Sequence, residues 1–155
     1  MLKFIAYLVN LNGTLARKVR ATQTYNEGLA LHRSKEYAKA SPFIREAAEL
    51  GHEAGMTIYG SMFLLGQGVK VDGAQAELWL QKAMEAGYED AASILGMAYA
   101  TGKAGCRHDL ELGRKLLMQA AQAGDERSGR MLEMMEKGEG MFQRSPTKPK
   151  LRRGV

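Results

Sequence analysis

The strongest constraint on the fold is an internal repeat across residues 51–124. Residues 51–68 align with residues 87–104 at an offset of 36, with glycines and apolar residues in matching places. Residues 72–87 align with residues 109–124 at an offset of 37, so the second copy has one extra residue in a loop. A period of this length is typical of stacked-repeat proteins, in which each unit packs mainly on its neighbours.

Each copy has the signals of two helices joined by a loop. Apolar residues at helical spacing predict first helices at residues 55–65 and 91–101. Gly66 and Gly102 follow these helices, where a C′ residue with positive φ is expected. Asp72 and Asp109 then stand where an N-cap would start the second helix.

Small residues predict where the paired helices meet. Gly60 and Gly96 match each other in the first helices and are expected to face Ala76 and Gly113 in the second helices, so that the backbones approach closely. We expect large apolar residues to fill the space between the layers: Trp79, Leu80, Leu116 and Leu117.

An earlier repeat is indicated before residue 51. Residues 36–51 match residues 72–87, and Thr22 or Thr24 is a candidate N-cap for a helix that precedes them. Pro42 falls inside the second helix of this unit, where proline costs about 3 kcal/mol. We favour a helix that starts late, with Ser41 as cap and Pro42 at its first position; the alternative is a helix kinked at Pro42.

The two ends of the chain differ from the repeats. Residues 1–15 combine a lysine with a short apolar run, which favours a capping helix over an export signal and is too short to span a bilayer, since that takes about 20 apolar residues. Residues 125–137 predict a single terminal helix. The last residues contain two prolines and five basic side chains, so residues 138–155 are expected to be disordered.

The net charge of +5 is concentrated at the ends. Residues 1–26 contain four basic residues and no acid, and residues 144–155 contain five basic residues and no acid. The remaining 13 basic and 17 acidic residues leave the middle at −4, which argues against a basic groove in the repeats. The basic tail consists of Arg144, Lys148, Lys150, Arg152 and Arg153.

Candidate chemistry is sparse. The loop GQGVKVDG at residues 66–73 follows a helix and lacks the remaining elements of a phosphate-binding loop, so a helix C-cap is the favoured interpretation. Cys106 and His108 lie close together, but His32 and His52 belong to other units, so a metal site is not expected. Cys106 is expected at the surface, without a catalytic role. The sequence predicts no enzyme and no cofactor.

The repeat resembles the Sel1-like repeat family, a relative of the tetratricopeptide repeats. The residues that match the family signature are Gly60, Phe63, Gly66, Gly68, Val69, Asp72, Ala76, Trp79, Ala83 and Gly87. The next unit departs from the signature at Ala104 and Gly105, at Gly113 and at Leu116, all of which packing can tolerate. The first unit, with a shorter inter-helix spacing, is closer to a tetratricopeptide repeat.

The resemblance implies an all-α fold, a short right-handed α/α solenoid of helix-turn-helix repeats with capping helices at both ends. The predicted boundaries are a capping helix or weak signal segment at 1–21, repeats at 22–51, 52–87 and 88–124, a terminal cap helix at 125–137 and a disordered basic tail at 138–155.

The resemblance also implies a non-enzymatic module that binds a partner protein in its concave face. Carried over from the family, that face includes Tyr25, Leu29, His32, Arg33, Thr57, Ser61, Leu64, Leu65, Asp90, Ser93, Met97 and Thr101. Small bacterial members act as signalling adaptors or as immunity proteins that neutralise a secreted toxin, such as a type VI effector. Differences between matched positions of the copies, Thr57 with Ser93, Ser61 with Met97 and Leu64 with Ala100, are expected to set specificity.

Two alternatives stay open at this point. The basic termini predict binding to nucleic acid or an anionic surface, although nucleic acid is the less favoured partner. A regulatory subunit of an enzyme differs from the favoured interpretation only in its partner. The single cysteine fits a cytoplasmic location, and a periplasmic one is expected if residues 1–20 act as an export signal.

Overall fold

A computed structural model describes residues 2–138 of the chain, with side chains from residue 11 onward. Within these residues seven α-helices follow one another: α1 (Leu2–Arg33), α2 (Tyr37–Glu49), α3 (Glu53–Leu65), α4 (Gly73–Glu85), α5 (Asp90–Thr101), α6 (Leu110–Gln122) and α7 (Glu126–Glu136). A short 3₁₀ turn, Lys103–Gly105, lies between α5 and α6. The predicted all-α repeat solenoid is confirmed.

The helices pair in the predicted order. Helix α1 packs on α2, α3 on α4 and α5 on α6, and each pair contacts the next through α2 with α3, α4 with α5 and α6 with α7. The first helices also meet across the repeats, because α3 contacts α5 and α5 contacts α7. We call the row formed by α1, α3, α5 and α7 the A-helix row.

In both later repeats the predicted end of the first helix and start of the second helix are confirmed, whereas α3 and α5 begin two residues and one residue earlier than predicted. Gly66 and Gly102 end α3 and α5 with φ values of 68° and 61°, where a side chain would be strained. Asp72 accepts a hydrogen bond from the Gln75 N–H at 3.0 Å and so caps α4. Asp109 caps α6 in the same way through Leu112 N–H, also at 3.0 Å.

Glycine permits the close helix crossings. A Cβ atom on Gly60 would lie 3.2 Å from the Ala76 carbonyl oxygen, and one on Gly96 would lie 3.1 Å from that of Gly113. Such distances are tighter than ordinary van der Waals contacts, so any side chain here would force the helices apart. Large residues fill the space beside these crossings, with Leu80 and Leu117 fully buried, Leu116 buried and Trp79 half-buried.

The predicted helix start at Thr22 or Thr24 is wrong. Helix α1 runs without a break through both residues, and their hydroxyls donate to carbonyl oxygens one turn earlier, Thr22 to Lys18 at 3.1 Å and Thr24 to Arg20 at 3.0 Å. A threonine can make this bond inside a helix as readily as it caps one. The predicted boundary between residues 21 and 22 therefore falls within a continuous helix.

The late start of α2 is also wrong. The helix begins at Tyr37, and Pro42 lies inside it. The Glu36 carbonyl accepts from Lys39 and Ala40 N–H, and Ala40 is fully buried, so contacts that precede Pro42 hold the first turn in place. This packing outweighs the one backbone hydrogen bond that proline cannot make.

Candidate protein-interaction face

The A-helix row presents a stripe of side chains to solvent. In α3 the stripe contains Ala54, Ile58, Ser61 and Leu65, which repeat every three or four residues and are half-buried or exposed. Residues on both sides of the stripe are buried, because α3 has neighbours on two sides. Matched positions continue the stripe in the other first helices. We call these residues together the A-helix face: Leu29, Ile58, Ser61, Leu65, Ile94, Met97, Thr101, Met131 and Met134.

The predicted concave-face residues divide into three groups by exposure. Arg33, Leu65, Asp90 and Thr101 are exposed. A second group is half-buried and consists of Tyr25, Leu29, His32, Ser61 and Met97. The third group is buried and consists of Thr57, Leu64 and Ser93.

The buried group corrects the prediction. Thr57 is 5% exposed and its hydroxyl donates to the Glu53 carbonyl within α3. Leu64 belongs to a core cluster with Leu80 and Leu95. Because each residue turns a helix by about 100°, Thr57 and Leu64 point to the sides of α3, where neighbouring helices cover them, and not along the solvent stripe.

The specificity hypothesis changes accordingly. Ser93 is fully buried, and Ala100, the match of Leu64, is fully buried as well, so only the pair Ser61 and Met97 is open to a partner. The sequence prediction missed Ile58 and Ile94, which lie on the stripe. The spacing Ala54, Ile58, Ser61, Leu65, read together with the repeat offset, would have found them.

Two of the half-buried residues, Tyr25 and His32, join the first repeat to the second. The Tyr25 ring stacks on the His52 ring with centroids 4.1 Å apart and planes 15° apart. His52 also caps α3, since its Nδ1 accepts from Gly55 N–H at 3.2 Å. Burial lowers the pKa of His52, and the nearby Glu53 carboxylate opposes this effect. The bond from Gly55 N–H requires an unprotonated Nδ1, and the lowered pKa of His52 favours this form.

His32 makes a second contact between these repeats. Its Nε2 lies 3.0 Å from Gln67 Oε1, and its ring meets Tyr37 edge-on at 5.0 Å. Gln67 belongs to the loop after α3, so the end of α1 is tied to that loop. This contact limits how far His32 can turn towards a partner.

Ser93 belongs to a polar cluster that attaches α7. Ser93 Oγ donates to Asp125 Oδ2 at 2.6 Å, and Ser128 Oγ donates to the same oxygen at 2.7 Å. Asp125 also accepts from Ser128 N–H, which caps α7, and from Arg127 Nε. Desolvation, the largest single influence, raises the pKa of Asp125, but the hydrogen bonds from Ser93, Ser128 and Arg127 outweigh it and hold the pKa well below its usual range.

The predicted surface location of Cys106 is wrong. The residue is 6% exposed, and its Sγ lies 3.5 Å from the Gly73 carbonyl oxygen at the start of α4. Burial raises the pKa of the thiol to about 11, and the nearby Glu77 carboxylate adds to the shift. The residue is therefore a protonated core thiol and not a nucleophile.

Cys106 is part of a contact that the inter-helix loops of both later repeats make. A Cβ atom on Gly73 would overlap the backbone of Gly105 and Cys106, and one on Gly68 would overlap the Tyr37 carbonyl. Tyr37 and Gly73 are the first residues of α2 and α4. Each loop therefore lies against the start of the second helix in the preceding repeat, which joins neighbouring repeats through backbone contacts.

The structure assigns structural roles to the remaining candidates for chemistry. In the GQGVKVDG loop, Gly66 is a helix C-cap and Gly68 makes the inter-repeat contact. His108 Nε2 lies 3.1 Å from the Ala100 carbonyl oxygen. Within the described part of the chain, no three histidine, cysteine or acidic side chains come together as a metal site would require.

Two of the N-terminal basic residues are already engaged. Arg17 donates to the carbonyls of Glu49 and Leu50 at the end of α2, both at 3.2 Å. Arg20 forms an ion pair with Glu46. Lys3 and the basic tail at 144–155 lie outside the residues whose side chains are described. In the part of the chain that is described, no helix combines the length and the apolar content needed to cross a membrane.

Comparison with known proteins assigns the repeats to a family. The model of the Sel1 repeat matches residues 54–88 and 89–125, which contain α3 with α4 and α5 with α6. Residues 54–125 are therefore two Sel1-like repeats. Sel1 repeat proteins generally mediate protein–protein interactions and are typically non-catalytic scaffolds.

Similar proteins come from several bacteria. An uncharacterized protein of Neisseria meningitidis serogroup B is 44% identical over 57 residues, which are 34% of this chain and 12% of that protein. A protective antigen of uropathogenic Escherichia coli with an SLR fold aligns with a TM-score of 0.68 and 28% identity, covering 79% of this chain and 27% of the other. The chain thus spans only a small part of both relatives.

Two further structures support the same fold. A Sel1 repeat protein of Oxalobacter formigenes aligns with a TM-score of 0.63 and 23% identity over 80% of this chain and 97% of its own. Cysteine rich protein B of Helicobacter pylori aligns with a TM-score of 0.53 and 26% identity, covering 61% of this chain and 70% of the other. Both support a stack of Sel1-like helix pairs.

Proposed function

We propose that this Sel1-like protein holds one partner protein on its A-helix face, most concretely as a bacterial immunity protein that neutralises a secreted, type VI-like toxin, or as a signalling adaptor. The observation that carries the proposal is the continuous stripe of solvent-accessible apolar residues along three repeats, from Leu29 through Ile58 and Ile94 to Met131. Stripes of this kind on otherwise well-packed proteins mark binding surfaces.

The composition of the face suits a protein partner. Leu65 is 52% exposed, and Met97 and Met134 bring flexible side chains that adapt to the shape of a partner. Charged residues of both signs flank the stripe, with Arg33 and Asp90 exposed at its two edges. An apolar centre with mixed charges around it is the usual anatomy of a protein–protein interface, whereas a phosphate-binding surface would be uniformly basic.

The choice of an immunity protein rests on the family resemblance, and the test therefore uses a defined candidate partner. The product of the neighbouring gene, if it resembles a toxin, is mixed with the purified full-length protein, and binding is measured by isothermal titration calorimetry. We expect a complex and rescue of growth when both proteins are produced together. A toxin-like neighbour that does not bind would contradict the immunity role.

Substitutions test the face itself. Leu65→Glu and Met97→Glu place a charge on the stripe and are expected to weaken binding at least about tenfold, since each buries an unpaired charge at the contact. Leu78→Glu on α4 and Met118→Glu on α6 are matched controls, because these residues are 42% and 48% exposed on second helices. Equal losses for both sets would contradict the assignment of the face.

Deletion of residues 144–155 separates this proposal from binding through the basic ends. If the partner binds to the A-helix face, the protein without residues 144–155 still binds it, and the affinity still depends only weakly on salt. If the deletion removes binding and its salt dependence together, the basic tail is the binding element and the proposed face is wrong.

A further inference from the structure

Helix α1 is far longer than its repeat needs. It has 32 residues and a length of about 48 Å, whereas α2 to α7 have 11 to 13 residues. In the part of α1 whose side chains are described, the packing against the first repeat lies in the second half of the helix, where Ala21 is buried and Gly28 lies against Ile44. The preceding part of the helix carries three large apolar side chains that are half exposed or more: Leu11 at 50%, Leu15 at 60% and Val19 at 59%.

No described residue covers these side chains, although Leu15 and Val19 border an open groove that Phe43 of α2 also lines. Arg17 and Arg20 bind the end of α2, and Ala21 is 4% exposed, so this side of α1 faces its own repeats. Val19 lies two residues from Arg17 and from Ala21, which turns it by about 200° to the opposite side of the helix. The apolar stripe is therefore unpaired within the part of the molecule that the structure describes.

The spacing along the stripe is that of a coiled coil. Residues 5, 8, 12, 15, 19 and 22 alternate in steps of three and four, which places Ile5, Asn12 and Val19 at heptad position a, and Leu8, Leu15 and Thr22 at position d. β-Branched residues at a with leucine at d favour a parallel two-stranded coil, and one asparagine at a fixes its register and its two-stranded state.

We propose that α1 is a dimerisation helix, in which residues 5–22 pair with the same residues of a second copy as a parallel, in-register two-stranded coiled coil with Asn12 facing Asn12. In this arrangement Leu15 and Val19 form consecutive layers across the seam. The paired segment ends at Thr22, because the next position a is Asn26 and the exposed residues around it, Gln23 and Glu27, are polar.

The flanking positions suit pairing with an identical helix. Position g of one helix faces position e of the other five residues later, which sets Leu11 against Ala16 and Lys18 against Gln23. These pairs are apolar or singly charged, so no like charges meet across the seam. Arg17 falls at position f, opposite the seam, where it binds the carbonyls of α2.

The first experiment measures association of the full-length protein. Sedimentation equilibrium is run from about 1 µM to about 1 mM, the range in which weak specific complexes dissociate. We expect a monomer–dimer equilibrium that Leu15→Glu/Val19→Glu shifts by at least about a hundredfold, since each substitution places like charges in facing layers. Leu78→Glu, at an exposed residue on α4, serves as the matched control and leaves the equilibrium unchanged.

Circular dichroism of the double variant checks that it remains helical and folded. A wild-type protein that stays monomeric over the whole range, or a dimer that the double variant does not weaken, would overturn the proposal. Either result would show that a second copy of the chain does not pair with this stripe.

The second experiment tests the parallel register. Asn12→Cys places two thiols in one layer and is expected to form a disulfide-linked dimer under mild oxidation, whereas Gly13→Cys, one residue off the seam, is not. Buried Cys106 does not interfere. Equal cross-linking of both variants contradicts the register. Asn12→Val is expected to strengthen association and to admit higher oligomers, because it removes the polar group that specifies two strands.

Discussion

The contact between α1 and α3 and the contact between α5 and α7 are the first and last junctions of the A-helix row. They use the same two repeat positions, but the first joins aromatic rings and the last joins hydrogen-bonded polar groups. At the first junction Tyr25 of α1 stacks on His52 at the start of α3. At the last, Ser93 of α5 donates to Asp125 at the start of α7. Tyr25 and Ser93 occupy matched positions, and so do His52 and Asp125, each of which caps its helix. The fold therefore fixes where neighbouring repeats meet, while the side chains that join them are free to differ.

The difference predicts that the last junction is the more sensitive one. Asp125→Ala removes a helix cap and the shared acceptor of the buried Ser93 and Ser128 hydroxyls, which keep only their 3.0 Å contact with each other. The free energy of unfolding is expected to fall by roughly 3 kcal/mol, from the lost cap and the unsatisfied buried groups. The measurement is urea unfolding followed by circular dichroism.

Asp72→Ala is the matched control, because Asp72 caps α4 through Gln75 N–H and its side chain makes no hydrogen bond to another repeat among the described residues. Its expected cost is about 1 kcal/mol. Equal costs for the two substitutions would mean that the hydrogen bonds between α5 and α7 contribute nothing.

The sequence predicts correctly those roles that depend on nearby residues, and it misses a role that depends on the next repeat. Gly66, Gly102, Asp72 and Asp109 were predicted correctly, because their roles depend on local backbone geometry that a few neighbouring residues determine. The burial of Ser93 was missed, because the group that covers it, Asp125, comes from the next repeat. Local spacing places a residue on a side of its helix, but it does not reveal which neighbour lies against that side.

Two other errors have different causes, one within a helix and one between repeats. Thr22 and Thr24 carry the residue type of a helix cap, yet the helix passes through them because their hydroxyls bond within the helix. Cys106 lies in a loop and would be exposed in an isolated repeat, but the preceding repeat covers it. In a solenoid, contacts between units decide burial at positions where one unit alone leaves the residue open.

The two junctions are expected to weaken in separate pH ranges. The pKa of Asp125 is lowered by folding, so its contribution to stability is complete above the unfolded value of about 3.9 and is lost as the pH falls further. The pKa of His52 is also lowered, so stability is lost as the pH falls below the unfolded value of about 6.5. Protonation of either residue lowers the stability of the fold, and as the pH falls His52 is protonated before Asp125.

Urea unfolding midpoints between pH 8 and pH 3 test these ranges. Asp125→Asn keeps a capping side chain and is expected to flatten only the acid limb relative to the wild type. His52→Asn likewise keeps a cap and is expected to flatten the curve only near pH 6. An acid limb that Asp125→Asn leaves unchanged would contradict the assignment of the lowered pKa.

The aromatic junction is expected to contribute a smaller, separable energy. A double-mutant cycle with Tyr25→Ala and His52→Ala is expected to give a coupling of about 1 kcal/mol, the usual value for a stacked ring pair. Tyr25→Phe retains the ring and is expected to keep most of this coupling. A coupling near zero would show that the rings lie together without stabilising the junction.

The smallest effect is expected where the two Sel1 repeats already use different residues at one position. In the structure Gly68 and Gly105 make the same inter-repeat contact, which matches Val69 with Cys106 at an offset of 37, one residue more than the sequence alignment of this loop. Val69 packs against one core cluster and Cys106 belongs to the other. Cys106→Val should therefore change the free energy of unfolding by less than about 1 kcal/mol, as for other apolar substitutions of similar volume. Cys106→Asp puts a charge in the site whose burial already disfavours the thiolate, and it is expected to cost several times more. If the valine variant is as unstable as the aspartate variant, the two loops are not equivalent, and the thiol itself is required at this contact.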